Sequence, residues 1–135
     1  MSDMHDTTKA IIHTQEELER LCEYWKTRIG LADWEFAIRI KRAEDMISES
    51  QGDCHWKLSN RQAVIQIIDP VDYSKHNMGE QDMERSLVHE MLHPLFGPVD
   101  KEENSRLEDI MLEQAIESIA KALVKFRRGQ QELLP

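Results

Sequence analysis

Cysteine, glycine and proline are scarce in this chain, and so is positive charge. Two cysteines in 135 residues exclude a small scaffold held by several disulfides. Cys22 falls in a predicted helix and Cys54 in a predicted strand, with no CxxC pattern. The expectation is reduced, partly buried thiols in a cytoplasmic protein. Five glycines and four prolines build no low-complexity tract, and no internal repeat is visible. No apolar run approaches the roughly 20 residues of a membrane-spanning helix. Residues 1–8 are polar with two aspartates, unlike a secretory signal. With 17 Lys and Arg against 26 Asp and Glu, the net charge is −9. Phosphate backbones need a positive surface, so nucleic acid is not an expected partner. The one basic cluster, Lys125, Arg127 and Arg128, closes a predicted helix, where its expected role is to complement the helix dipole.

What is present describes one ordinary globular domain over residues 1–135, with 40% hydrophobic and 32% charged residues, long enough for a modest core. Residues 1–13 and 130–135 are expected to fray. Thr14 and Glu17 form a capping box opening a helix to about residue 28. Leu18, Leu21, Cys22, Trp25 and Ile29 line its apolar stripe, and Gly30 stops it. From Trp34 to Lys41 apolar and polar residues alternate, the pattern of a half-buried strand. Residues 54–58 and 63–68 make two further short strands around a Ser59-Asn60 turn, and Pro70 ends the third. A second helix starts near Glu80. Pro94 would clash with the carbonyl of Glu90, so this helix should end or kink at His93. Ser105 and Glu108 form another capping box, and the last helix should run to about Arg128 with Gly129 as its stop.

Within the second helix, residues 89–93 read His-Glu-Met-Leu-His. Positions i and i+4 stack on one helix face, so His89 and His93 can present two imidazoles to one metal. Glu90, one step round, can act on a water at that metal without ligating it. Cys54-His55 is no second metal pair, because adjacent strand residues point to opposite faces.

The last helix carries an apolar stripe of Ile110, Ile116, Ala120, Leu123 and Val124, with Glu113 and Glu117 projecting from it. Carboxylates on a core-facing stripe are costly unless paired or metal-bound. The expectation is that Glu113 is a third zinc ligand and that Glu117, one turn on, accepts the free imidazole N–H of a ligand histidine.

His89-Glu90-x-x-His93 followed by Glu113-x-x-x-Glu117 resembles the gluzincin metallopeptidase pattern, and the order of elements resembles minigluzincins and small metallopeptidases of phages and bacteria. The match covers residues 80–125, with Glu117 standing where the thermolysin branch usually has Asp. Pro94 departs from the small proteins, which continue with an apolar residue. The resemblance implies an α+β fold: a single small zincin-like domain with an N-terminal helix, about three mostly antiparallel strands, an active-site helix and a long C-terminal helix. It implies one Zn2+ per chain and a zinc endopeptidase that hydrolyses peptide bonds through a zinc-activated water, with Glu90 as general base. His55, Tyr73, His76 and Arg106 are possible oxyanion donors, among which the sequence does not select. The resemblance also implies that an extended protein or peptide substrate lies along an exposed sheet edge, for which strand 63–68 is the expected edge. The alternative is a zinc-holding protein of the same fold with little or no peptidase activity, serving as a binding or regulatory module. Oligomeric state is left open.

Overall fold

The computed structural model describes residues 9–46, 50–74 and 79–133. Three helices and a three-stranded sheet make one α+β unit: α1 (Gln15–Arg28), β1 (Glu35–Lys41), β2 (Gly52–Lys57), β3 (Gln62–Ile68), α2 (Met83–Leu95) and α3 (Arg106–Leu133). Local chemistry sets most of these bounds. Thr14 and Glu17 close the expected capping box on α1, and Gly30 leaves it at φ 83°, a left-handed conformation that glycine adopts without steric cost. At α3, Ser105 Oγ accepts from the Glu108 amide at 3.1 Å while Glu108 accepts from the Ser105 amide at 2.8 Å.

The sheet order is β1–β3–β2, with β1 parallel and β2 antiparallel to β3. The sheet is therefore mixed. The chain leaves β1 at one edge, crosses to β2 at the other, and turns back into the centre as β3. This corrects the expected peptide-binding edge, because β3 is the central strand and the edges are β1 and β2, of which β2 packs beside α2. Ile65 and Ile67 are fully buried, and the apolar run of β3 serves a strand flanked on both sides.

Helix α1 packs on β1 and α2 on β2 and β3, while α3 packs on α2. Leu18, Cys22 and Trp25 of α1, Ile38 of β1, Ile65 and Ile67 of β3, Leu87, Val88 and Met91 of α2, and Ile116, Ala120 and Val124 of α3 share one core. The opposite face is mostly polar, with Glu35, Arg39, Lys57 and His55 exposed, as alternation in a half-solvated sheet requires.

Several expected boundaries move. Residues 9–13 do not fray: Ile11 bridges Asp82, its amide donating to the Gln81 carbonyl at 2.8 Å and its own carbonyl accepting from Met83 at 2.9 Å. Helix α2 begins after Asp82 rather than near Glu80, and passes His93 to end at Leu95. Pro94 lies in its last turn, so its missing N–H leaves only the Glu90 carbonyl without a helical donor. Phe96 closes the turn onto Leu92 at 3.1 Å. Gly129 does not stop α3, which continues to Leu133; a glycine in an exposed helix costs only about 1 kcal/mol. Among the described residues no helix is long and apolar enough to cross a membrane.

Candidate metal centre

Helix α2 lies under β2 with one face in the core and His89, Glu90 and His93 turned toward an open cleft. Its first turn is fixed at both ends of the chain. The Asp82 side chain caps it by accepting from the Arg85 amide at 3.1 Å. Glu84, fully buried, accepts from Trp25 Nε1 at 2.9 Å and from Arg127 Nε and Nη2 at 2.7 and 2.6 Å. Arg128 forks onto Asp82 at 2.8 and 3.0 Å and reaches Glu84 at 3.2 Å. The basic cluster of α3 is therefore no dipole complement in its Arg127 and Arg128 part. Those two residues clamp α3 across the start of α2, 43 and 46 residues away in sequence.

The clamp lays the first half of α3 alongside the cleft. Glu113 reaches both ring nitrogens that face it, with Oε2 at 3.0 Å from His89 Nε2 and Oε1 at 2.9 Å from His93 Nε2. One turn on, Glu117 Oε1 accepts from His89 Nδ1 at 2.9 Å. His93 Nδ1 in turn donates to Asp100 Oδ2 at 3.3 Å. Each histidine thus turns Nε2 to a common point and anchors Nδ1 on a carboxylate behind it. One ligand atom each from His89, His93 and Glu113 lie within 4.8 Å of one another. Two imidazole nitrogens and a carboxylate oxygen so placed suit a borderline-soft divalent ion, and the open cleft leaves room for a fourth ligand. The paired Nδ1 carboxylates are the outer support that orients ligand imidazoles.

Charge follows this arrangement. Burial pushes the His89 imidazole toward neutrality, but the Glu113 and Glu117 carboxylates more than offset it and raise its pKa to about 10. His93 is raised likewise against its burial, by Glu113 first. Hydrogen bonds from the two imidazoles hold Glu113 well below the usual carboxylate range, and the one from His89 lowers Glu117. Glu90 goes the other way. Burial pushes it up to about 7, although the two histidines pull it down. It lies against Gly52 of β2, where an added Cβ would sit 3.5 Å from the Glu90 carboxylate and 3.0 Å from the Gln66 carbonyl. The tight approach is to the Gln66 carbonyl of the neighbouring strand, while Glu90 would be met at ordinary van der Waals distance, so glycine here serves the close pairing of β2 with β3.

The remaining expectations separate clearly. Glu113 is 54% exposed in its side chain and Ile110 is 44% exposed, so Glu113 stands at the rim of the helix contact rather than inside it. The stripe that buries Ile116, Ala120 and Val124 is narrower than a helical wheel drawn from sequence implied. Tyr73 lines the cleft, with its hydroxyl 3.5 Å from the Gly79 carbonyl. His55 alternates to the outer face of β2, beside Asp53 at 3.6 Å, and does not line the cleft that holds His89, His93 and Glu113. Arg106 is exposed outside the cleft lining. His76 lies outside the described residues. Several contributors had no sequence signal strong enough to select them. Asp100 comes from the loop after α2, Trp56 stacks on His93 with centroids 5.9 Å apart and planes at 25°, and Arg85 lies 3.8 Å from Glu117. The alternation of β2 is the one cue that was available, since it puts Gly52, Cys54 and Trp56 together on the α2 side.

Comparison with protein-family models, with curated proteins and with solved structures finds no match to this chain.

Proposed function

We propose that this chain is a gluzincin-type zinc endopeptidase, with His89, His93 and Glu113 as the metal ligands and Glu90 as general base. The observation that carries the reading is the convergence of three candidate ligand atoms within 4.8 Å of one another, beside a buried carboxyl raised to about 7, next to the edge strand β2. Zinc in such a three-ligand site supplies a Lewis acid that polarises a carbonyl and acidifies water. The protein's own groups do the rest. Glu90 takes a proton from the attacking water on its carboxylate and returns it to the leaving amine nitrogen, a role that suits a carboxyl titrating near neutrality. Glu117 and Asp100 hold the two ligand imidazoles with Nε2 facing the ion. As an edge strand of the sheet, β2 is placed to receive an extended peptide laid over the cleft as an added strand. The free thiols Cys22 and Cys54 fit a reducing compartment such as the cytoplasm.

The test separates metal binding from catalysis. Glu90→Gln should retain stoichiometric zinc and lose cleavage of an unstructured protein such as casein, while His89→Ala should lose both. Stoichiometric zinc without cleavage in the wild type would leave a metal-holding module of the same fold. No zinc in the wild type would remove the proposal altogether.

A further inference from the structure

Helix α3 has a second apolar face. Ile116, Ala120 and Val124 are buried against the body of the protein. On the opposite side, Leu107 is 65%, Met111 59% and Phe126 67% exposed. Ala115, Ser118 and Ala122 lie between them, all exposed. Met111, Ala115, Ser118 and Ala122 are spaced four, three and four residues apart, the seam spacing of two helices packed along their length. A surface helix of a monomer shows charged residues on its outward face; this one carries a line of apolar and small uncharged residues from Leu107 to Phe126.

The sequence of that line identifies its occupant. Take a point midway between residues 116 and 117 and lay a second copy antiparallel. Leu107 then comes level with Phe126 of the second copy, Glu108 with Lys125, Met111 with Ala122, and Ala115 with Ser118. Large residues meet small ones toward the centre, opposite charges fall at both ends, and every pairing occurs twice. That is the self-complementarity a two-fold interface requires. The small residues at the middle allow the backbones to approach closely, and the apolar side chains at the ends flank the contact.

We propose that this face of α3 is the dimerisation surface of the chain, with a second copy packed antiparallel along Met111, Ala115, Ser118 and Ala122. One helix pair buries less than the about 1,600 Å² of a standard stable interface, so the dimer is of modest affinity, with a dissociation constant on the order of micromolar. The inference does not depend on a metal or on catalysis.

Sedimentation equilibrium of the full chain should show a monomer–dimer equilibrium. Ala115→Glu should weaken it by at least about tenfold while leaving the circular dichroism spectrum unchanged, since residue 115 is exposed in the single chain. Orientation is read by disulfide trapping. Met111→Cys/Ala122→Cys together should cross-link two copies under mild oxidation, and each single substitution should not. Cys22 is silent in this assay, its thiol buried and pushed up to about 12, and Cys54 is held protonated by burial as well. Single variants that cross-link as readily as the double one would overturn the antiparallel register. A dimer insensitive to Ala115→Glu, or a chain that stays monomeric at millimolar concentration because another segment of its own covers α3, would overturn the proposal.

Discussion

Glu84 and Arg127 meet at 2.6 Å, and the carboxylate between them and Trp25 has no exposed surface. One residue lies in the first turn of α2 and the other near the end of α3, so this contact fixes the long helix that carries Glu113 and Glu117. Burying a charge is repaid only by close partners. Glu84 has its partners in Arg127, Arg128 and the Trp25 indole. Glu84→Gln keeps the shape but leaves the Arg127 guanidinium partly buried without its counter-charge. The expected loss is about 3–5 kcal/mol in urea unfolding. Arg61→Ala, which removes an exposed pair with Asp33 at 3.3 Å, should cost under about 1 kcal/mol. Equal losses in the two variants would refute the clamp.

Asp82 does two jobs, and pH tells them apart. It caps α2 and pairs with Arg128. Burial pushes its carboxyl up, but Arg128 and the Arg85 amide more than offset this and hold it below the usual value. A folded-state pKa below the unfolded one gives stability that is fully present above the unfolded value, about 3.9, and lost as pH falls through the folded one. Asp82→Asn keeps the cap, since asparagine caps as well as aspartate, and loses the charge pair. Wild type should therefore exceed Asp82→Asn by a constant margin near neutrality, and that margin should begin to shrink near about pH 4 and disappear only below the folded-state value. Asp82→Ala should cost about 1 kcal/mol more than Asp82→Asn, independent of pH. A wild-type margin over Asp82→Asn as large at pH 3 as at pH 7 would show that the pairing contributes nothing.

How much of this was legible in the sequence follows from range. Both capping boxes, the Gly30 stop and the alternation of β1 are interactions over a few residues, and each stands where the sequence put it. The pairing of Glu113 and Glu117 with the histidines was legible because helix periodicity constrains both partners. The order of the strands was not, since an apolar run such as 64–68 fits a central strand or a covered edge equally well. The roles of Arg127 and Arg128 were hidden for a different reason. A local partner, the helix dipole, offered a sufficient explanation, while the true partners Asp82 and Glu84 lie over 40 residues away. Asp100 was invisible because an acid in a loop after a helix carries no periodicity to mark it.

The carboxylates behind the histidines give the next prediction. Glu117 and Asp100 each accept from an Nδ1, at 2.9 and 3.3 Å, and so leave Nε2 of each ring turned toward Glu113, where the proposed ion would bind. Glu117→Gln and Asp100→Asn keep the size of each side chain and remove its charge. Each should weaken zinc binding by about 10–100-fold without removing the site, measured by competition with a chromophoric chelator. An unchanged affinity in Asp100→Asn would show that Trp56, stacked on the same ring, suffices to orient His93.

Metal removal should soften this fold without dissolving it. In small zinc domains the ion replaces a core, and chelation unfolds them. Here α2 and α3 are joined twice, by the Glu84–Arg127 clamp at one end and by Glu113 against His89 and His93 at the other. Only the second junction involves the proposed ligands. Without metal it persists as hydrogen bonds between Glu113 and the imidazoles, so the apoprotein should remain folded and unfold cooperatively. Zinc present at 100 times its dissociation constant adds about 2.7 kcal/mol, which for a chain of this length raises Tm by roughly 10 °C. Glu113→Ala should abolish most of that rise, because the two proposed ligands that remain both belong to α2, so a bound ion no longer joins α2 to α3. Differential scanning calorimetry with zinc and with chelator reads both effects. A chelated wild type without a cooperative transition would place the fold's stability in the metal, and an undiminished zinc-induced rise in Glu113→Ala would remove Glu113 from the ligand set.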